Sequence, residues 1–211
     1  MFRVVIRLLA LIVCSLLSAT LAAQQFSADM VDLRPEGRPN KTKIYVNNDK
    51  TRLESQSAEG GDVVAMIWDE ANKTRYMLMP SRHMYMDYSP VMAAKMPMYM
   101  FWHPSDINNA CPEWQKMMEQ MKNADKWGTC RKVGSDTVNG RSTVKYEGTN
   151  SEGKSGQIWI DSKLRWLSKV QSDDGGMELR NIQEGSQPSS LFEVPAGYQK
   201  LDYGKMGQRP R

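Results

Sequence analysis

The chain has 211 residues, 40% hydrophobic and 25% charged, with 15 Gly, 10 Pro and 3 Cys. That balance suits one packed core and excludes a disordered chain, a collagen or a disulfide-dense miniprotein. The formal charge of +4 shrinks to +2 without residues 1–23, which hold Arg3 and Arg7 and no acid; such a balance offers no concentrated basic face for nucleic acid.

The chain opens with the basic stretch Met1 to Arg7, an apolar run from Leu8 to Leu17, and small residues from Ser18 to Ala23. This order is that of a secretory signal peptide, with cleavage expected after Ala22 or Ala23. The apolar run is shorter than the roughly 20 residues a membrane-spanning helix needs. Cleavage leaves no cysteine at the new N-terminus, so the expectation is a soluble periplasmic or secreted protein without a transmembrane segment. Cys111 and Cys130 would then meet an oxidising compartment, where pairing is the default. They close a loop of about 18 residues, for which a cross-link contributes about 3 kcal/mol. Their spacing suits neither a redox motif nor a zinc site.

From Phe26 the pattern is of short strands separated by turns. Phe26 to Leu33 alternates with one slip, and Lys43 to Val46 follows a Pro/Gly/Asn cluster. Arg52 to Gln56, Val63 to Trp68, Arg75 to Met79 and His83 to Tyr88 come next, at intervals typical of a meandering antiparallel sheet. Lys41-Thr42-Lys43, Lys50-Thr51-Arg52 and Lys73-Thr74-Arg75 read as turn-to-strand junctions. Residues 89–128 break the pattern and form a helical insert. Within it Pro112 suits a first helical turn, and Trp114, Met117, Met118 and Met121 mark an amphipathic helix ended by Gly128. The Cys pair would tie the two ends of this helix to the sheet. Strands then resume: Arg131 to Tyr146 with an Asn139-Gly140 hairpin step, Gln157 to Asp161, Leu164 to Val170 and Met177 to Ile182. Phe192 to Tyr198 closes a single domain, residues 24–202, and 203–211 read as a loose basic tail.

Several of these phrases resemble a known family. Tyr76-Met77-Leu78-Met79-Pro80 with Met84-Tyr85-Met86 is similar to the methionine-rich strand pair of the DUF4412 proteins. So are Val138-Asn139-Gly140-Arg141, Trp159-Ile160-Asp161 and Leu191-Phe192-Glu193-Val194-Pro195-Ala196-Gly197-Tyr198. That family is similar to the periplasmic lipoprotein carrier LolA and its receptor LolB, and the resemblance spans roughly residues 26–201. It implies an α+β, mostly β fold: a curved antiparallel sheet forming an incomplete barrel, closed by a short helical insert around an apolar hollow. In the carrier that hollow receives acyl chains.

Eight of the 16 methionines fall between Met77 and Met100. On strands, Met77 shares a face with Met79, and Met84 with Met86. Three readings are open. Thioethers can fill an irregular core, or form a deformable wall for acyl chains, or bind Cu(I) with the two histidines, through His83, Met84, Met86 and His103. The histidines look more like a turn residue and a loop residue than ligands. Gly148 to Ser155 satisfies the P-loop pattern letter for letter, but a β run follows where the phosphate site needs a helix, so it reads as a hairpin turn. There is no nucleophile elbow or zincin motif, and Asp173-Asp174 reads as a turn, not a catalytic pair. Asn40 and Asn72 fit glycosylation sequons and read as turn residues. The sequence thus predicts a non-catalytic protein with no cofactor, binding a hydrophobic or acylated ligand such as a lipid or lipoprotein. Candidate cavity residues are Met66, Trp68, Met77, Met79, Met84, Met86, Met98, Trp102, Trp159 and Trp166.

Overall fold

The computed structural model describes residues 24–34, 41–56, 61–89, 101–120, 127–150 and 153–202. The leader, the tail and Met98 lie outside the described residues, as do the sequons' Asn40 and the first part of the insert. The strands are β1 (Gln25–Asp32), β2 (Lys41–Asn47), β3 (Lys50–Gln56), β4 (Val63–Asp69), β5 (Thr74–Met79) and β6 (Met84–Asp87). After one helix, α1 (Cys111–Gln120), come β7 (Trp127–Val138), β8 (Arg141–Asn150), β9 (Ser155–Asp161), β10 (Leu167–Ser172), β11 (Gly175–Glu184) and β12 (Gln199–Leu201). They form one 12-stranded sheet in the order β12-β6-β5-β4-β3-β2-β1-β11-β10-β9-β8-β7.

Neighbours run antiparallel throughout except for β12, which joins the edge of β6 in parallel. In a flat sheet β4 and β10 would stand about 24 Å apart. Here side chains from both line one hollow, so the sheet is bent into an open, incomplete barrel.

Alternation along the strands assigns the two faces. Phe26, Ala28 and Met30 of β1, Ile44 and Val46 of β2, Leu53 of β3 and Trp68 of β4 belong to the main core on the concave side. Tyr146, Ile158, Ile160 and Leu179 join them from the other half of the sheet. The opposite face of β4 is buried as well. Ala65 and Ile67 pack with Leu78 and Phe192 in a second cluster, which Leu191, Val194 and Tyr198 help cover. Burial on both faces explains why Val63 to Trp68 is a continuous apolar run rather than an alternating one.

The local signals act largely as expected. Asn139 and Gly140 both have positive φ, 50° and 75°, as the two-residue hairpin turn between β7 and β8 demands. The P-loop look-alike is split between β8 and β9, an antiparallel hairpin in which Thr149 faces Ser155. Several boundaries differ from the sequence reading. The helix ends its described course at Gln120, and Trp127 and Gly128 already belong to β7; Gly128 sits in a bulge between Trp127 and Thr129, a second use for a glycine that otherwise marks a helix stop. Cys130 therefore lies inside a strand and not at a helix end. The strand expected from Leu164 starts at Leu167, because Asp161 to Trp166 is a turn closed by the Asp161 amide on the Trp166 carbonyl (2.9 Å). β12 was not anticipated.

Candidate functional site

The concave space is unevenly filled. At one end an aromatic plug closes it. Trp166, 1% exposed, meets Phe26 edge-on with ring centroids 5.5 Å apart. Trp68 lies 4.6 Å from Phe101, and Trp102 lies 5.0 Å from Trp114 of α1. Tyr146 pins the insert to the sheet: its hydroxyl donates to the Ile107 carbonyl (2.8 Å) and accepts from the Ala110 amide (3.2 Å). Burial pushes the Tyr146 phenol above its ordinary value. The Cys111–Cys130 disulfide, with Cα atoms 5.6 Å apart, fastens the start of α1 to β7.

Among the described residues the other end stays open. Register explains where: Phe26, Val46, Thr51 and Trp68 stand in one cross-strand row beneath the plug, whereas Met30, Thr42, Ser55 and Val64 stand in a row four residues farther along the strands. Over this second row lies a hollow of about 620 Å³, with Met30, Leu53, Val64, Met66, Val170 and Met177 among its lining residues. A smaller hollow of about 330 Å³ continues under Trp114, between Cys130, Tyr146, Gly148, Gly156, Ile158 and Val170. Val170, Ser172 and Asp174 line both.

Charges at the rim are matched in pairs. Arg34 donates from Nε to Asp32 at 2.8 Å, and these hydrogen bonds hold the Asp32 carboxyl below the usual carboxylate range. Lys154 donates to Asp174 at 3.0 Å. The larger hollow thus has an apolar wall of Met30, Leu53, Val64, Met66 and Met177, and the margin of the groove includes these two ion pairs. Among the described residues no three His, Cys, Asp or Glu side chains are gathered to hold a metal ion, and no helix is long and apolar enough to cross a membrane.

Of the sequence-derived candidates, Met66 lines the larger hollow. Trp68, Trp102 and Trp166 build the core beside it. Met77, Met79, Met84 and Met86 share the face of Met66 through the pairs Met66–Met77, Met77–Met86 and Met79–Met84, but they lie toward the β6 edge and line neither hollow. The Tyr88 hydroxyl donates to the sulfurs of Met77 (3.8 Å) and Met86 (3.6 Å).

Trp159 is a correction. It faces the convex side, opposite Ile158 and Ile160, with Lys145 and Lys169 Nζ each 4.8 Å from its ring and its Nε1 donating to Asp136 (2.8 Å). The copper set is also dispersed. His83, exposed at a left-handed turn position, packs its ring against Tyr198 at 5.7 Å, a residue of the convex cluster. His103 stacks on Trp166 at 5.4 Å, on the concave side. Met30, Val170, Met177, Gly148 and Gly156 were not picked out. Alternation with Ala28 and Leu179 signals the first and third, but only the register from β8 through β11 to β1 brings the five together.

No family model matches the chain, and no curated protein does. Solved structures resemble it at low identity. An uncharacterized conserved protein from Thermus thermophilus aligns over 91% of this chain and 98% of its own, at 9% identity and a TM-score of 0.52. A chain of the Pseudomonas aeruginosa MucA/MucB complex aligns over 84% of this chain at 13% identity and a TM-score of 0.49, and this chain spans 58% of that one. The Mycobacterium tuberculosis lipoprotein LppX aligns over 81% of this chain and 92% of its own, at 9% identity and a TM-score of 0.39. The first likeness shows a shared fold, and the fold alone; the other two are looser.

Proposed function

We propose that this chain is an exported, non-catalytic periplasmic protein that receives the acyl part of a lipid or acylated protein in its concave groove. One observation carries the reading: an open hollow of about 620 Å³ walled by Met30, Leu53, Val64, Met66 and Met177, within the volume range of small-molecule sites. Flexible thioethers accept apolar shapes of varied outline. Each methylene moved from water to such a wall contributes about 0.8 kcal/mol, so a chain of about twelve gives roughly 10 kcal/mol gross. After ordering costs, micromolar affinity or better is accessible. Residues 1–23 act as the signal peptide, 24–202 as one domain and 203–211 as a tail in this reading. The DUF4412 and LolA-like resemblance of residues 76–86, 138–141, 159–161 and 191–198 supports it.

Native mass spectrometry of protein taken from the periplasm tests it. A lipid or acyl adduct is expected; a copper adduct without lipid, or bare protein that takes up no lysolipid on incubation, overturns it. The double change Met84→Leu and Met86→Leu keeps apolar volume and removes sulfur, so acyl binding is expected to persist through it.

A further inference from the structure

We infer that the two hollows are successive segments of one bent channel for a single acyl chain, and that Gly156 sets how long a chain the channel accepts. This rests on the acyl-binding reading above and adds to it a path and a length-determining residue.

Continuity comes from shared walls: Val170, Ser172 and Asp174 face both hollows. The smaller hollow exists because its floor lacks side chains. Tyr146, Ile158 and Val170 stand in register across β8, β9 and β10, and two residues farther along the same strands come Gly148, Gly156 and Ser172. These two glycines are not equivalent. A Cβ on Gly148 would strike the Thr129 carbonyl at 2.1 Å, so that glycine serves the close approach of β7 to β8. A Cβ on Gly156 would meet nothing nearer than the Gln171 carbonyl at 3.9 Å. The space above it is open, and the strand does not need a glycine there for packing. Trp114 roofs that space, held over it by the disulfide of its own helix.

The occupant follows from the same geometry. Trp114, Ile158, Val170 and the glycine backbone give this segment its apolar wall, bordered by polar side chains such as Thr129, Glu147 and Gln157, and Lys154 at its margin is paired with Asp174. An ionic group crossing the floor of Gly148 and Gly156 beside Trp114 and Ile158 would lose water there. An unbranched hydrocarbon tail loses nothing and fits a narrow floor of backbone. The chain therefore enters along the Met30–Met66 wall, crosses Val170 and ends above Gly156.

The test compares dodecanoyl- and octadecanoyl-lysophosphatidylcholine by calorimetry or fluorescence displacement on the full mature chain. Wild type is expected to favour the longer probe. Gly156→Leu should lower affinity for the octadecanoyl probe about tenfold, roughly the loss of two buried methylenes, and leave the dodecanoyl probe unchanged. Gly156→Ala should stay near wild type. Ser172→Leu narrows the passage from the neighbouring strand and should reproduce the loss, which keeps the test decisive if Gly156→Leu fails to fold. An unchanged ratio between the probes in both leucine variants overturns the channel and leaves acyl binding standing. Failure of wild type to bind either probe overturns both.

Discussion

Single side chains decide how the insert is seated, and Tyr146 is the clearest of them. It is 1% exposed and serves two backbone groups at once, the Ile107 carbonyl and the Ala110 amide. Tyr146→Phe keeps the ring and strips both partners, and Ala110 is fully buried, so no water replaces the lost acceptor. The expected cost is about 1–3 kcal/mol, read as a lower urea midpoint with unchanged slope. Residue identity alone did not distinguish Trp159 from Trp166. Both are tryptophans among β-forming residues. Alternation with Ile158 and Ile160 sends the first outward, where two lysine stems and Asp136 satisfy it. The second lies just before β10, and the turn held by Asp161 folds it into the core: the Asp161 carboxylate accepts from the Lys163 and Leu164 amides at 2.9 and 2.8 Å. A residue's side of the sheet was legible wherever its strand was; the seat of a turn residue was not.

At the scale of elements, two attachments are nonlocal. Among its described side chains α1 gives the core Trp114, Cys111 and Met117, and the disulfide fastens it to β7. Replacing Cys111 and Cys130 together by Ser is expected to cost about 3 kcal/mol on the loop-entropy account, and wild type in reductant should match the variant's denaturant midpoint. The second attachment is the C-terminal segment, which crosses the convex face and sets Phe192, 4% exposed, onto Ala65, Ile67 and Leu78. Arg52 donates to the Leu191 carbonyl there at 2.8 Å. Phe192→Ala should cost about 3–5 kcal/mol, measurable as a fall in melting temperature. Strands, the Asn-Gly hairpin and the cysteine pair were readable because each depends on neighbours in sequence. β12 was not: three residues, Gln199 to Leu201, show no alternation, and their parallel partner lies more than a hundred residues away. The groove stayed hidden for a similar reason, since its walls come from both halves of a bent sheet.

For the molecule as a whole, proton linkage predicts two separate losses of stability on acidification. Among the carboxylates held below their ordinary values by hydrogen-bonded partners are Asp32, by Arg34, Asp87, by Ser89 and then Lys200, and Glu184, by Lys163 and then Arg141. A depressed carboxylate binds fewer protons folded than unfolded. Its stabilisation is complete above the unfolded value near 4 and disappears as pH falls through the lower folded value. All three are partly solvated, so each contributes modestly. His103 adds an earlier step. Although His103 is exposed, partial desolvation of its ring, stacked on Trp166, lowers it from an ordinary 6.5, against the opposing pull of Asp49 and Glu113. The folded protein again binds the proton less readily, so stability is full above 6.5 and erodes as pH drops through the folded value. Melting temperature followed against pH should thus hold level from 8 to about 6.5, decline slightly, then fall steeply below about 4. His103→Gln should remove the first decline and leave the second. If the profile of His103→Gln superimposes on wild type between pH 7 and 5, the imidazole is solvated in the folded state and its contact with the plug contributes nothing to acid sensitivity.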